Sequence, residues 1–123
     1  MVSGLAARRA LGVVRLVNGG LTLAAPRGFM RAVGIDPESN RAAVWALRMF
    51  GVRTVLLGLA LLTPRSEEEL DRTVREAVYI HASDTGAALL AGLTGDLPRR
   101  TATTATLTSL LNTVLSVMAR RRP

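Results

Sequence analysis

The sequence predicts an all-α protein, a four-helix transmembrane bundle with antiparallel neighbours and short loops. Three observations predict it. Four largely apolar segments follow one another, each of about twenty residues or more, enough at about 1.5 Å per residue to cross a hydrocarbon core of about 30 Å. Helices of soluble proteins average only about a dozen residues, so four this long in succession favour spans. Charges also sit inside the two best apolar runs, Arg48 and Arg53 between Ala42 and Leu62, and Asp84 between Ala77 and Leu93. Such charges are expensive in lipid and call for partners between helices.

The first helix is expected over about 4–25, with Ser3 as N-cap and Pro26 as its stop. It carries Arg15 and Asn18 at i,i+3, which face inward in a bundle. A signal peptide is the competing reading, because Arg8 and Arg9 precede the apolar stretch and Gly19, Gly20, Ala24 and Ala25 follow. Arg15 and Asn18 interrupt that stretch, and no small-residue cleavage site leads into a soluble domain. Between Pro26 and Ile35, Arg27 and Arg31 lie at i,i+4 with Phe29, Met30 and Val33 on the other side. That pattern suits a turn of interfacial amphipathic helix, and equally a solvated loop.

The second helix is expected over about 37–63: Asp36 caps it, Pro37 fits the first helical position, Glu38 suits the positive end of the dipole, and Pro64 ends it. The third, about 67–93, opens on a capping box of Ser66 and Glu69 and stops at Gly95. The fourth spans about 99–119 and runs into Arg120, Arg121 and Arg122. No Pro-rich, Gly/Ser-rich or charge-block linker divides the 123 residues, so residues 1–123 form one domain.

Composition narrows the function classes. Hydrophobic residues make up 49%, yet the mean hydropathy is only +0.29 because sixteen arginines lower it. All sixteen basic residues are arginine, a pattern of GC-rich coding rather than of sixteen guanidinium sites. The net charge of +7 fits nucleic acid or anionic lipid. Only four aromatics (Phe29, Trp45, Phe50, Tyr79) are present and no basic stripe is interleaved with them, so nucleic acid is not an expected partner. The absence of cysteine excludes disulfides, thiolate nucleophiles and Cys-based metal sites. His81 is the single histidine, so no metal site and no cofactor is expected.

Orientation follows from the arginines. One side of the bundle would hold Arg8, Arg9, Arg65, Arg72, Arg75, Arg120, Arg121 and Arg122, the other Arg27, Arg31, Arg41, Arg99 and Arg100. Eight against five places both termini in the cytoplasm, with the chain in the inner membrane. Arg120 to Arg122 would then meet anionic headgroups.

Depth turns the interior charges into pairs. The second and third helices are joined by Pro64 and Arg65 alone, which predicts antiparallel neighbours. Measured from that turn, Arg53 lies about 15 Å deep and Glu76 about 14 Å, while Arg48 lies about 23 Å deep and Asp84 about 26 Å. The expected buried ion pairs are Arg53 with Glu76 and Arg48 with Asp84. Asp84 and His81, at i,i+3, share a face and form a candidate proton or cation site, with Arg15 and Asn112 as further ligand-site residues. Arg15 leaves the inward set with one surplus positive charge, suited to an anionic headgroup, a carboxylate or a quinone carbonyl, or to a backbone carbonyl at a helix end. On the fourth helix Ser109, Asn112, Thr113 and Ser116 form a polar stripe that marks its buried face. Gly51, Gly58, Ala88 and Gly92 read as close-packing positions.

The runs Gly20 to Ile35, Arg48-Met-Phe-Gly-Val-Arg53 with Leu57 to Leu62, and Ser83-Asp84 resemble a family of small multi-spanning membrane proteins of high-GC bacteria, over roughly residues 18–93. In that family the Arg-x-Phe-Gly-x-Arg segment is often followed by an acidic residue, where this chain has Thr54. The resemblance implies a membrane fold and weight on Arg48, Gly51, Arg53 and Asp84, and no activity.

The expected function is therefore a non-enzymatic integral membrane protein, an accessory or scaffold subunit with the bilayer and a protein partner or a second copy as its contacts. The alternatives are a small transporter or ligand-binding bundle using Asp84 and His81, and a soluble four-helix bundle that acts as an interaction protein. Ser83 and Asp84 point from different faces of a helix, so a nucleophilic relay is not expected.

Overall fold

The computed structural model describes residues 3–120, which form five helices and no strand: α1 Gly4–Ala24, α2 Pro26–Ala32, α3 Arg41–Leu62, α4 Glu67–Thr94 and α5 Arg99–Ala119. Arg121 and Arg122, with the headgroup role expected of them, lie outside the described residues.

Local chemistry sets most boundaries. The Ser3 hydroxyl accepts the Ala6 N–H at 3.1 Å and the Ser66 hydroxyl accepts that of Glu69 at 3.1 Å, satisfying donors that the first turns of α1 and α4 leave free. Three glutamates in the first turn of α4 suit its dipole. Gly95, at φ +82°, closes α4 in the left-handed conformation that a side chain resists. Pro26 lacks an N–H, and the chain leaves α1 at Ala25 to start α2 with proline at its first position.

One region settles between two expected alternatives and another differs from expectation. The segment after Pro26 is a two-turn helix in its own right, with Met30 buried and Arg27 and Arg31 exposed. Gly34, at φ +89°, ends it, and the Ile35 N–H returns to the Met30 carbonyl at 2.8 Å. The Asp36-Pro37 pair does not start α3. Asp36 instead closes a turn on itself: its carboxylate accepts the Glu38 N–H at 3.1 Å and the Ser39 hydroxyl at 2.6 Å, and its carbonyl accepts the Asn40 side-chain amide at 2.9 Å. A carboxylate with two such local donors competes with the helix for the backbone, so α3 begins only at Arg41.

α1 packs along α3 over its length, α5 packs along α4 and also along α1, and α3 touches α4 lightly. The expected α3/α4 hairpin therefore exists as a turn but not as the main packing pair. The reason is a glycine repeat shared by α1 and α3. Gly12 and Gly19 on one helix, Gly51 and Gly58 on the other, are each seven residues apart. A Cβ on Gly51 would lie 2.8 Å from the Gly19 carbonyl, and one on Gly58 would lie 2.9 Å from the Gly12 carbonyl. The two backbones thus touch at two levels of an antiparallel pair, an approach only small residues permit. Gly92 similarly meets Ala102 between α4 and α5. A small apolar core of Leu11, Leu61, Val74 and Ala77 closes the end near the α3–α4 turn.

Candidate functional site

Arg15 is the charge that α1 carries into the interior, and it is buried, with 4% of its surface exposed. Its Nη2 donates to the Thr54 hydroxyl on α3 at 3.3 Å, and its guanidinium lies 5.6 Å from the centre of the Phe50 ring, within cation–π range. The same guanidinium feels the charge of Asp84 on α4. Thr54 and Phe50 are one turn apart on α3, so α3 presents a hydroxyl and a ring face to one cation.

On α4, His81 is fully buried and its Nδ1 lies 3.8 Å from an Asp84 carboxylate oxygen, while the Asp84 side chain remains 44% exposed. Thr85, one turn on, donates to the His81 carbonyl at 2.7 Å and lies 3.4 Å from the Thr113 hydroxyl of α5. That contact fixes the register of the antiparallel α4–α5 pair and brings Asn112 and Ser116, both buried, to the level of His81. Four buried atoms here have no hydrogen-bond partner: Arg15 Nε, both ring nitrogens of His81, and Asn112 Oδ1. Buried polar atoms rarely stay unpaired, which sets these side chains apart from the rest of the interior.

The structure thus brings His81 beside Asp84 on α4 and buries Arg15 on α1 and Asn112 on α5. It does not gather the other expected residues. Arg48, Arg53 and Glu76 are exposed, and neither expected pair is made; Arg27 meets Glu38 at 3.0 Å instead, and Asp84 has His81 as its near neighbour at 3.8 Å. Asp84 makes no ion pair with Arg48, because the glycine contacts draw α3 onto α1 and away from α4, and its charge acts on Arg15 without an ion pair between the two. The pairing of Arg53 with Glu76 is likewise not made. Sequence reasoning placed Arg15 inward but gave it no carboxylate. The signal that identifies its neighbours is the matched seven-residue spacing of Gly12–Gly19 and Gly51–Gly58.

The cluster contains no nucleophile aligned with a base: Ser83 is exposed, next to Asp84 but off its face. Among the described residues no three His, Cys, Asp or Glu side chains converge. A concavity of about 640 Å³ lies elsewhere, where α1 begins, α4 begins and α5 ends, bordered by Arg8, Arg75 and Arg120 with Glu67 and Asp71.

The outer surface inverts the polarity of the interior. Among the described residues twenty-one large apolar side chains are exposed, spread over α1, α3, α4 and α5, whereas eight polar or charged residues are buried. Two helices, α3 and α5, are long and apolar enough to cross a membrane by length and composition. Comparison with protein-family models, with curated proteins and with solved structures finds no match.

Proposed function

We propose that this chain is a non-enzymatic integral membrane protein, an accessory or scaffold subunit whose four long helices cross the inner membrane as an antiparallel bundle with both termini in the cytoplasm. The observation that carries this reading is the inverted polarity: Leu56, Leu90, Leu93, Leu107 and Leu111 face outward while Arg15, His81, Asn112 and Ser116 face inward. In water each large apolar side chain left exposed forgoes about 1.5–3 kcal/mol of burial, and this protein leaves such side chains exposed on every long helix. In lipid the same arrangement is favourable, because the bilayer accepts the outer face and the helices satisfy one another's polar groups.

The charges in α4 fit the same picture. Its first ten residues carry seven charges, and the remaining stretch from Ala77 to Thr94 spans about 27 Å. The charged turns would stand in the cytoplasm beside Arg8 and Arg120, on the arginine-rich side. The test uses the absence of cysteine. Single cysteines at Ser39, Arg65 and Asp96 in an otherwise intact chain should stay with the membrane after carbonate washing. Ser39→Cys and Asp96→Cys should react with an impermeant maleimide from outside, Arg65→Cys only after permeabilisation. Release into the carbonate supernatant would return the chain to the soluble-bundle reading.

A second reading is favoured by one observation, the four unpartnered atoms around His81 and Arg15. It makes the bundle a small transporter or ligand-binding protein in which Asp84 and His81 take a proton or cation. Asp84→Asn, nearly isosteric, separates the two: in a transporter it abolishes coupled flux at unchanged protein level, and in a scaffold it changes mainly accumulation and stability.

A further inference from the structure

The outward face of α3 carries a pattern that membrane insertion alone does not require. Trp45, Met49, Val52, Leu56 and Leu59 are all exposed and follow one another at spacings of four, three, four and three. This is the seam spacing of a left-handed helix pair, and α3 alone shows it unbroken through five large exposed side chains. In that register Arg48 and Arg53 occupy the two flanking positions that set partner choice in such pairs. Both are exposed and neither is in an ion pair with another described residue. Arg53 stands about 18 Å from the start of α3 and about 14 Å from its end, too deep for its side chain to reach headgroups on either side.

We infer that this face of α3 docks an apolar membrane helix of a different protein, one that presents carboxylates opposite Arg48 and Arg53. The inference rests on the membrane reading and gives the accessory role a partner chemistry. A second copy is the poorer occupant. Copies inserted with one orientation pair α3 in parallel, which sets Arg48 of one chain against Arg53 of the other, like charge on like charge. Nor does α4 of a second copy offer an acidic face. Its exposed Glu76 lies beside Arg75 and one turn from Arg72, and Asp84 is turned toward His81 and Arg15.

The full chain is reconstituted in phosphatidylcholine vesicles with synthetic Leu/Ala transmembrane peptides of about 22 residues. Two peptides are identical except for a pair of Glu or a pair of Gln at positions five apart, and each carries a dansyl acceptor for Trp45, the single tryptophan, which lies on the seam. Energy transfer from Trp45 should saturate with the Glu peptide at a peptide-to-lipid ratio about tenfold below that of the Gln peptide. The Arg48→Glu/Arg53→Glu variant, altered only at exposed positions, should reverse the preference in favour of a Lys peptide. Equal transfer to Glu and Gln peptides from vesicle-bound protein overturns the inference and leaves the membrane reading standing. So does a Val52→Cys disulfide dimer that forms in high yield without peptide and that the Glu peptide does not displace, which would name a second copy as occupant. Failure of the chain to float with vesicles removes the membrane reading itself, and the inference with it.

Discussion

The α1–α3 contact makes a sharp prediction because identical chemical changes at different glycines should act with opposite sign. Gly51→Ala places a methyl group 2.8 Å from three atoms at once: the Gly19 carbonyl oxygen, the Leu23 nitrogen and the Thr22 hydroxyl. Two of these are backbone and cannot rotate away, so α1 and α3 must part by roughly half an ångström or more to restore ordinary contact. Overpacking of this kind costs about 1–3 kcal/mol, while replacing glycine by alanine inside a helix contributes about 0.5–1 kcal/mol in favour. The expected net effect at Gly51 is a loss of about 1–2 kcal/mol. Gly20, one residue beyond the contact, has no atom within 4 Å of the added methyl. There the helix term acts alone, and Gly20→Ala should gain about 0.5–1 kcal/mol.

Two intermediate positions calibrate the series. Gly19→Ala meets the Val55 nitrogen at 2.8 Å and the Gly51 carbonyl at 2.9 Å, so it should cost as much as Gly51→Ala. Gly12→Ala meets first the Leu62 side chain, at 2.6 and 2.8 Å, which can change rotamer, and it should cost less. The assay is reversible unfolding in mixed micelles followed by far-ultraviolet ellipticity. If Gly51→Ala and Gly20→Ala moved stability in the same direction by the same amount, α1 and α3 would not be in backbone contact. The reasoning that assigns α3 to α1 would then be refuted.

Three further outcomes follow. Asp84→Ala removes a half-exposed carboxylate whose charge acts on Arg15 without an ion pair and should cost about 1 kcal/mol; an Arg15→Leu/Asp84→Leu cycle measured by the same unfolding should show coupling, whereas an Arg48→Leu/Asp84→Leu cycle should be additive. The Ser39 hydroxyl, and after it the Glu38 N–H, holds the Asp36 carboxyl below its ordinary range. Its contribution to the α2–α3 turn should therefore be complete above the unfolded carboxyl pKa and fade as pH falls through the lower folded value, and Ser39→Ala should move the Asp36 carboxyl resonance titration back up. Ser66→Ala removes the acceptor of the Glu69 N–H and should destabilise α4 by about 1 kcal/mol in unfolding measurements.

Much of the local structure was legible from single residues, because its causes are local. Ser66 with Glu69, Pro26, Gly95 and the stripe of Asn112 and Ser116 each act within one or two turns, and the structure places them where those causes put them. Asp36 shows the limit of the same logic. A carboxylate followed by Pro-Glu-Ser is as good a donor trap for a closed turn as it is a helix cap, and the choice depends on Asn40 reaching back to its carbonyl. Of the expected site residues, Arg15, His81 and Asn112 are buried and His81 lies 3.8 Å from Asp84, while Thr54 and Phe50, the two that hold Arg15, carry no sequence mark of that task.

The ion pairs failed for a reason that bears on reading any such chain. Matching charges by depth fixes one coordinate, the distance along the bundle axis, and says nothing about which helices are adjacent or which way each is rotated. At the depth of Asp84 the two candidate cations were one on α1 and one on α3, and a long guanidinium stem adapts to either. Backbone contact does not adapt. A glycine pair repeated after seven residues on two helices fixes their adjacency, their rotation and their antiparallel register at once, since any other arrangement drives a side chain into a carbonyl. Adjacency fixed in this way set Arg15 against Thr54 and Phe50 and left Arg48 and Arg53 on the outer face. Small residues that decide which backbones can touch therefore outrank charges that decide only what would be favourable once they do. The two arginines left over become statements about what lies outside the chain.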